Sequence, residues 1–184
     1  MRNEIRLAHA DVRENILSLR TTLANEKGLT SAIDEYLQEF GIQTGIETQF
    51  ENQVEGDLKL ASVAEVQLVC ILQEALTNVR KHAKAAHVHV QISRKNRIGK
   101  DEGYIHMQIT DDGIGFIARA SKGRFGLQTM KERANSVHRT LVVQSDPGKG
   151  TVVECTFPCL VQEKLKRHQS IRTHEIGPLL SGRG

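Results

Sequence analysis

A chain of 184 residues that is 39% hydrophobic can bury one proper core, and its size favours one main domain with an appendage over two full domains. A formal net charge of +3 with acids interleaved among the bases, and only 4% aromatic content, argue against non-specific nucleic-acid binding and against base stacking on an aromatic platform. Cys70, Cys155 and Cys159, with no apolar run of membrane-spanning length and no signal-peptide pattern, point to a soluble cytoplasmic protein with reduced thiols, not a disulfide or metal-thiolate scaffold.

Residues 1–24 carry Ile5, Val12, Ile16, Leu19 and Leu23 at three- and four-residue spacing. This predicts an amphipathic helix whose apolar stripe must pack on the domain behind it or on a second copy. His9 within it reads as a solvated histidine. After a break at residues 25–28, residues 29–40 predict a second helix, capped by Thr30 or Ser31, with Leu29, Ile33, Leu37 and Phe40 inward and Gly41 as its end. Residues 42–50 alternate weakly, as a half-buried strand does, and residues 51–59 read as a polar loop.

Residues 62–83, SVAEVQLVCILQEALTNVRKHA, predict the central helix. Ser62 followed by Glu65 has the spacing of a capping box, and Val66, Val69, Cys70, Leu72, Leu76 and Val79 form its apolar face. Glu74, Asn78 and His82 follow at four-residue steps on one flank, so a carboxylate, a carboxamide and an imidazole share a stripe.

Residues 86–93, AHVHVQIS, alternate cleanly, with Val88, Val90 and Ile92 on one side and His87, His89 and Gln91 on the other. Two histidines at i and i+2 can bind a metal, but no carboxylate or third histidine is evident nearby, so a solvated sheet face is expected. Residues 94–102 make a charged hairpin connection, and residues 103–110 return as a strand with Ile105, Met107 and Ile109 inward, delivering the chain to Asp111. DDGIGF (residues 111–116) is followed by a short flexible loop and by a helix over residues 126–137 with Leu127, Met130, Ala134 and Val137 on one face. Residues 140–145 and 151–158 are two strands joined by the turn DPGKG. Beyond residue 160 the chain is polar, and a disordered tail is expected.

The chemistry of these pieces suits a magnesium nucleotide. Mg²⁺ keeps several waters and takes phosphate oxygens, so a single protein oxygen can suffice; the neutral carbonyl of Asn78 would bind it without repelling a polyphosphate. Glu74, one turn earlier, could orient a metal-bound water or accept its proton, and Lys81 and His82 offer donors to phosphate. Asp111, at the end of a buried strand, can accept a hydrogen bond from an exocyclic amine such as adenine's, where guanine presents a carbonyl. Gly113 and Gly115 let backbone pass close to a base, and the helix beginning near Gly126 could turn its amino-terminal amides toward phosphates. Alone, a helical E-x-x-x-N is ordinarily a polar face and DDGIG a turn. In the order helix, strand, DDGIG, GRFGL, helix, GKGT they become specific.

In that order the chain resembles the ATP-binding domain of the GHKL superfamily, shared by gyrase, Hsp90, MutL and histidine kinases. QEALTNVRKHA (residues 73–83) resembles the N box, DDGIGF the G1 box, GRFGLQTMKERA (residues 123–134) the G2 box, and GKGT (residues 148–151) the glycine motif that follows. N-V-x-K-H-A with G-L-x-x-M-x-E-R-A is most similar to sensor histidine kinases of the nitrate-sensor and thermosensor-like group. The resemblance implies a two-layer α/β sandwich (the Bergerat fold), a mixed sheet covered on one face by helices, with the domain over residues 29–160 and a lid at residues 117–124. It puts Mg²⁺ on Asn78, a catalytic water-positioning role on Glu74, phosphate contacts on Lys81 and His82, adenine on Asp111, and backbone or packing contacts on Gly113, Gly115, Gly126, Leu127 and Thr151. Phe116 and Phe125 are expected to pack the loops.

Residues 1–28 resemble the second helix of a dimerisation and phosphotransfer hairpin (Val12, Arg13, Ile16, Leu19, Arg20). The helix that would carry the acceptor histidine is missing from this chain, so the expectation is a fragment that binds ATP without phosphorylating itself. The full-length protein is expected to be a cytoplasmic or membrane-anchored homodimer acting on a response regulator of the LuxR/NarL type, with no direct nucleic-acid contact. Two other readings stand beside this one: a serine kinase of the anti-sigma-factor type, and a degenerate, ATP-free dimerisation module.

Overall fold

The computed structural model describes residues 28–54, 58, 60–96, 103–117 and 125–159. The amino-terminal helix with His9, the tip of the charged hairpin, the lid beyond Ile117 and the polar tail, as read from the sequence, lie outside these residues.

The elements in chain order are α1 (Leu29–Thr44), β1 (Glu47–Gln53), α2 (Ser62–Asn78), a π-helical turn (Val79–Ala83), β2 (His87–Asn96), β3 (Gly103–Asp111), α3 (Phe125–Ser136), β4 (Leu141–Ser145) and β5 (Thr151–Pro158). The strands form one mixed sheet in the order β1-β2-β3-β5-β4, with β1 parallel to β2 and the other neighbours antiparallel. The alternation read in the sequence sets its two faces. Val90 pairs with Ile109 and Ile92 with Met107; Met107 in turn pairs with Cys155 and Ile105 with Phe157, and all are buried in the core shared with the helices. Residues one step away, among them Gln91, Gln108 and Glu154, form the polar face, where the Gln108 side-chain amide donates to Glu154 at 2.9 Å and that of Gln91 to Glu51 at 2.8 Å. The fold is therefore the expected α/β sheet with helices packed on one apolar face.

Leu68, Ile71, Leu72 and Leu76 of α2 are fully buried against this sheet, together with Ile33 of α1 and Met130 and Ala134 of α3. Cutting any one of the large ones to alanine would cost roughly 2–5 kcal/mol. Cys70 and Cys155 are buried free thiols, and burial pushes both thiol pKa values up.

Local signals misplaced several boundaries. Helix α1 does not stop at Gly41. It runs on to Thr44 and is closed by Gly45 at φ 72°, whose N–H bonds back to Gly41 O at 2.9 Å. Gly41 instead marks a close approach to β1, since a Cβ there would lie 3.0 Å from Thr48 Oγ1. Ile42, expected in a strand, is an exposed helical residue. Neither Thr30 nor Ser31 caps α1, which starts after Gly28 without a side-chain cap. Ser62 is the first residue of α2, not its cap; the preceding residue is Ala61, and no capping box forms. Val66 is 42% exposed, so the buried stripe of α2 excludes it.

Candidate functional site

The central helix changes pitch where the chemistry was expected. After Asn78 the regular hydrogen bonding gives way to one π turn, Val79–Ala83, ended by Lys84 at φ 52°. Single π turns inside α-helices often mark functional sites. Here the turn aims the carbonyl of Ala83 at the DDGIGF loop, where it accepts Ile114 N–H at 2.7 Å. The stripe of Glu74, Asn78 and His82 is therefore not one regular α-helical face. Glu74 and Asn78 are half-buried on α2, whereas Lys81 and His82 are exposed on the π turn.

Glu74 and Asn78 meet the start of α3. A Cβ on Gly126 would collide with Glu74 Oε1 and lie 3.5 Å from Asn78 Nδ2. Among the described residues Asn78 Nδ2 is buried without a hydrogen-bond partner, an arrangement that ordinarily costs roughly 1–3 kcal/mol. Leu127, next along α3, packs against the core. Phe125, expected to pack the loops, is 86% exposed.

Asp111 ends β3 and is 7% exposed. Burial raises its carboxyl pKa, while hydrogen bonds from Gly113 N–H and from the hydroxyl and N–H of Thr151 pull the other way. The Gly113 bond, to Oδ1, is 2.9 Å long. Thr151 is the register partner of Asp111 across β3 and β5. Gly113 abuts Ala83, and Gly115, at φ 59°, lies against Asp146 of the DPGKG turn. Gly150, at φ 74°, passes so near Asp111 O that any side chain would strike it. The structure thus brings Asp111, Gly113, Gly115 and Thr151 together at one end of the central strands, with Glu74, Asn78 and Gly126 on the adjoining helices.

Three ties at this end were not singled out in the sequence. Asp112 Oδ1 accepts Ala86 N–H and His87 N–H, both at 2.9 Å, and its Oδ2 lies 2.7 Å from His87 Nδ1. The hydrogen bond from His87 is the main reason that the Asp112 pKa is held down to about 2, and the same bond raises that of His87. Gly148 N–H donates to Ile114 O at 2.7 Å, joining the two glycine loops. Ser145 Oγ accepts Phe116 N–H at 2.9 Å. A second aspartate beside a glycine loop is a visible signal; a serine before a turn is not.

The histidines of β2 also differ from expectation. Parallel pairing with β1 brings Glu47 to 3.5 Å from His87 and Glu51 to 3.4 Å from His89, so carboxylates are close by. Even so, among the described residues no group of three or more such side chains could hold a metal ion.

Over residues 63–160, more than half of its length, the chain matches the family described as histidine kinase-, DNA gyrase B- and HSP90-like ATPase. The chain belongs to that ATPase family. Its matched domain is the ATP-binding catalytic domain of the sensor histidine kinase type. The signal transduction histidine-protein kinase/phosphatase DegS of Brevibacillus brevis is 34% identical over 164 residues, covering 89% of this chain and 41% of that protein. The sensor histidine kinase LiaS of Bacillus subtilis strain 168 is 33% identical over 161 residues, 85% of this chain and 41% of that protein. The nitrate/nitrite sensor protein NarQ of Escherichia coli K12 is 30% identical over 151 residues, 82% of this chain and 25% of that protein. The chain thus spans 41% or less of these relatives. Among solved structures, the histidine kinase domain of the Erythrobacter litoralis EL346 blue-light activated histidine kinase shares the fold, with a TM-score of 0.56 at 19% identity over 75% of this chain and 64% of that one. Among the described residues of this ATPase-family chain, no helix is long and apolar enough to cross a membrane.

Proposed function

We propose that this domain holds Mg-ATP between α2 and the two glycine loops and supplies its γ-phosphoryl group to a histidine of the dimerisation hairpin of a two-component sensor kinase. The observation that carries the reading is the pairing of a buried, tied-down carboxylate, Asp111, with a buried amide nitrogen of Asn78 that has no partner among the described residues. Asp111 takes the exocyclic amine of adenine, and Gly113 and Gly115 keep side chains away from the base. Asn78 can offer Mg²⁺ its carboxamide oxygen, a neutral donor beside the Glu74 carboxylate, while its Nδ2, without a partner among the described residues, would donate to a phosphate oxygen. Bound there, the ion would neutralise charge on the polyphosphate.

Around it, Glu74 positions water from its seat against Gly126, Lys81 and His82 extend donors into solvent where phosphates can reach them, and Thr151 steadies Asp111. In the full-length protein the partners are a second copy and a response regulator of the LuxR/NarL type, the class that the likeness to nitrate/nitrite sensors favours. The names of the relatives favour a histidine acceptor over an anti-sigma-type serine kinase.

Incubation of the chain with γ-labelled Mg-ATP, alone and with an added helical hairpin bearing an acceptor histidine, tests this. Acid-labile phosphate on the hairpin is expected. Acid-labile phosphate on His9 would place the acceptor in this chain, acid-stable phosphate on a serine would favour the serine-kinase reading, and absence of nucleotide binding would favour the degenerate module.

A further inference from the structure

The chain leaves the π turn through Lys84, whose left-handed φ of 52° bends it into β2, which starts at His87. On both sides of Gly113 the DDGIGF loop is fastened to this bend. On one side Asp112 Oδ1 accepts Ala86 N–H and His87 N–H, both at 2.9 Å, and Asp112 N–H donates to His87 O at 3.4 Å. On the other side Ile114 N–H donates to Ala83 O at 2.7 Å. Between the two fastenings Gly113 packs so near Ala83 that a Cβ would strike its carbonyl oxygen, and the Gly113 N–H donates to Asp111 Oδ1 at 2.9 Å. The Asp112 carboxylate is itself held by His87, whose Nδ1 lies 2.7 Å from Oδ2.

Two parts of the proposed nucleotide site meet at this seam. Asp111, the acceptor for the base, immediately precedes Asp112 and is tied to Gly113. Lys81 and His82, the donors to phosphate, lie on the π turn that ends at Ala83. One nucleotide must reach both, so the spacing between them decides whether its base and its phosphates can be seated together. Asp112, Ala86 and His87 are exposed, so water can take the two amides when the carboxylate is removed. Water satisfies the amides without tying the loop to the bend. What the Asp112 side chain adds is therefore the geometry of the seam.

Resting on the reading that Asp111 receives the adenine amine, we infer that Asp112 is a positioning residue for nucleotide binding, whose Oδ1, by accepting two consecutive amides, fixes the base-binding loop relative to the phosphate-binding turn. His87 supports it by holding Oδ2. Asp112 acts through these two segments and not on the nucleotide itself. With the seam already set, binding does not bear the cost of ordering it.

This role needs the position of the acceptor oxygen and not its charge, which sets the test. Asp112→Asn keeps an oxygen in place of Oδ1 and loses the charge, Asp112→Glu keeps the charge and carries the oxygens one methylene further, and Asp112→Ala loses both. Titration calorimetry of the full chain with Mg-ATP, beside a thermal melt of each variant, reads the difference. Asp112→Ala should weaken Mg-ATP about five- to tenfold, the scale of one hydrogen bond to a charged group. Asp112→Glu should weaken it comparably, and Asp112→Asn should stay within about twofold of wild type. Ile105→Val, a core truncation near the opposite end of β3 from Asp111, is the control: it should lower Tm and leave the affinity as in wild type.

Wild-type affinity in Asp112→Ala overturns the inference while leaving the ATP reading intact, as does an equal loss in Asp112→Asn, or a loss in Ile105→Val that matches that of Asp112→Ala. Should Asp112→Ala fail to fold, Asp112→Glu decides in its place, and wild-type affinity there overturns the positioning role. A wild type that binds no Mg-ATP overturns the ATP reading and this inference with it.

Discussion

Around Asp111 the loops are tied down: Gly113 to its carboxylate, Asp112 to the start of β2, Ile114 to Ala83 and Gly148, Phe116 to Ser145. On α2 and the π turn, by contrast, Asn78 keeps a buried nitrogen without a partner among the described residues, and Lys81 and His82 stand in solvent. The loop side is organised before any ligand arrives. The helix side carries an N–H donor that the described residues leave unused, which phosphate oxygens would satisfy. Changes on the loop side should therefore strike stability and binding together, and changes on the helix side binding alone.

The strongest way to break the comparison is on the loop side, at Gly150. Gly150→Ala combines a left-handed backbone with a collision against Asp111 O, and should cost roughly 2–4 kcal/mol. A large fall in Tm together with lost nucleotide binding is expected; a Tm close to wild type would show that the loop is not rigidly set.

On the helix side, Asn78→Ala should remove the gain in ATP affinity that Mg²⁺ provides, roughly 10- to 100-fold, while Tm stays within a degree or two, because the group removed has an unsatisfied buried nitrogen. Thermal melts with and without Mg-ATP would separate the two effects. A large Tm loss without ligand would place Asn78 among the structural residues.

Asp111 sharpens the contrast through pH. Burial raises its pKa, so its charge opposes folding: the contribution of the neutral form is present below the ordinary carboxylate pKa of 3.8 and lost as pH rises through the raised value. Asp111→Asn should leave Tm unchanged or higher yet weaken ATP roughly 10- to 100-fold. In wild type, ATP affinity should fall on acidification at a pH above that of an ordinary aspartate, as isothermal titration across pH would show.

The smallest effect is expected at the exposed clasp of Asp112 and His87. The hydrogen bond from His87 lowers the Asp112 pKa, so that part of the stability is present above pH 3.8 and lost as pH falls toward about 2. The raised His87 pKa contributes stability below pH 6.5 that is lost as pH rises through the raised value. The Tm difference between wild type and Asp112→Asn should therefore shrink above neutral pH, and a difference that grows there would contradict the clasp.

Much of this was legible in the sequence where one local period decides the outcome. The alternation of Val88, Val90 and Ile92 and of Ile105, Met107 and Ile109 fixed two strands and their faces, and Met130 with Ala134 fixed the buried side of α3. The order of DDGIGF and GKGT brought Asp111, Gly113, Gly115 and Thr151 to one place. What escaped depends on distant partners. Gly41 looked like a helix end, but its role is to admit Thr48. Ser62 and Glu65 had the spacing of a capping box, yet the chain enters α2 through Ala61. The π turn has no residue signature in VRKHA; its partner, Ile114, lies far along the chain. The carboxylates beside His87 and His89 come from β1, whose parallel pairing no local pattern reveals.

The most direct test of the central claim is titration calorimetry of the chain with ATP, with and without Mg²⁺, on wild type and Asn78→Ala. Magnesium-enhanced binding by wild type, and binding by a folded Asn78→Ala that magnesium no longer strengthens, is the predicted result. Equal enhancement in both proteins, or no binding by wild type, would contradict the assignment of the Asn78 carboxamide to a magnesium nucleotide.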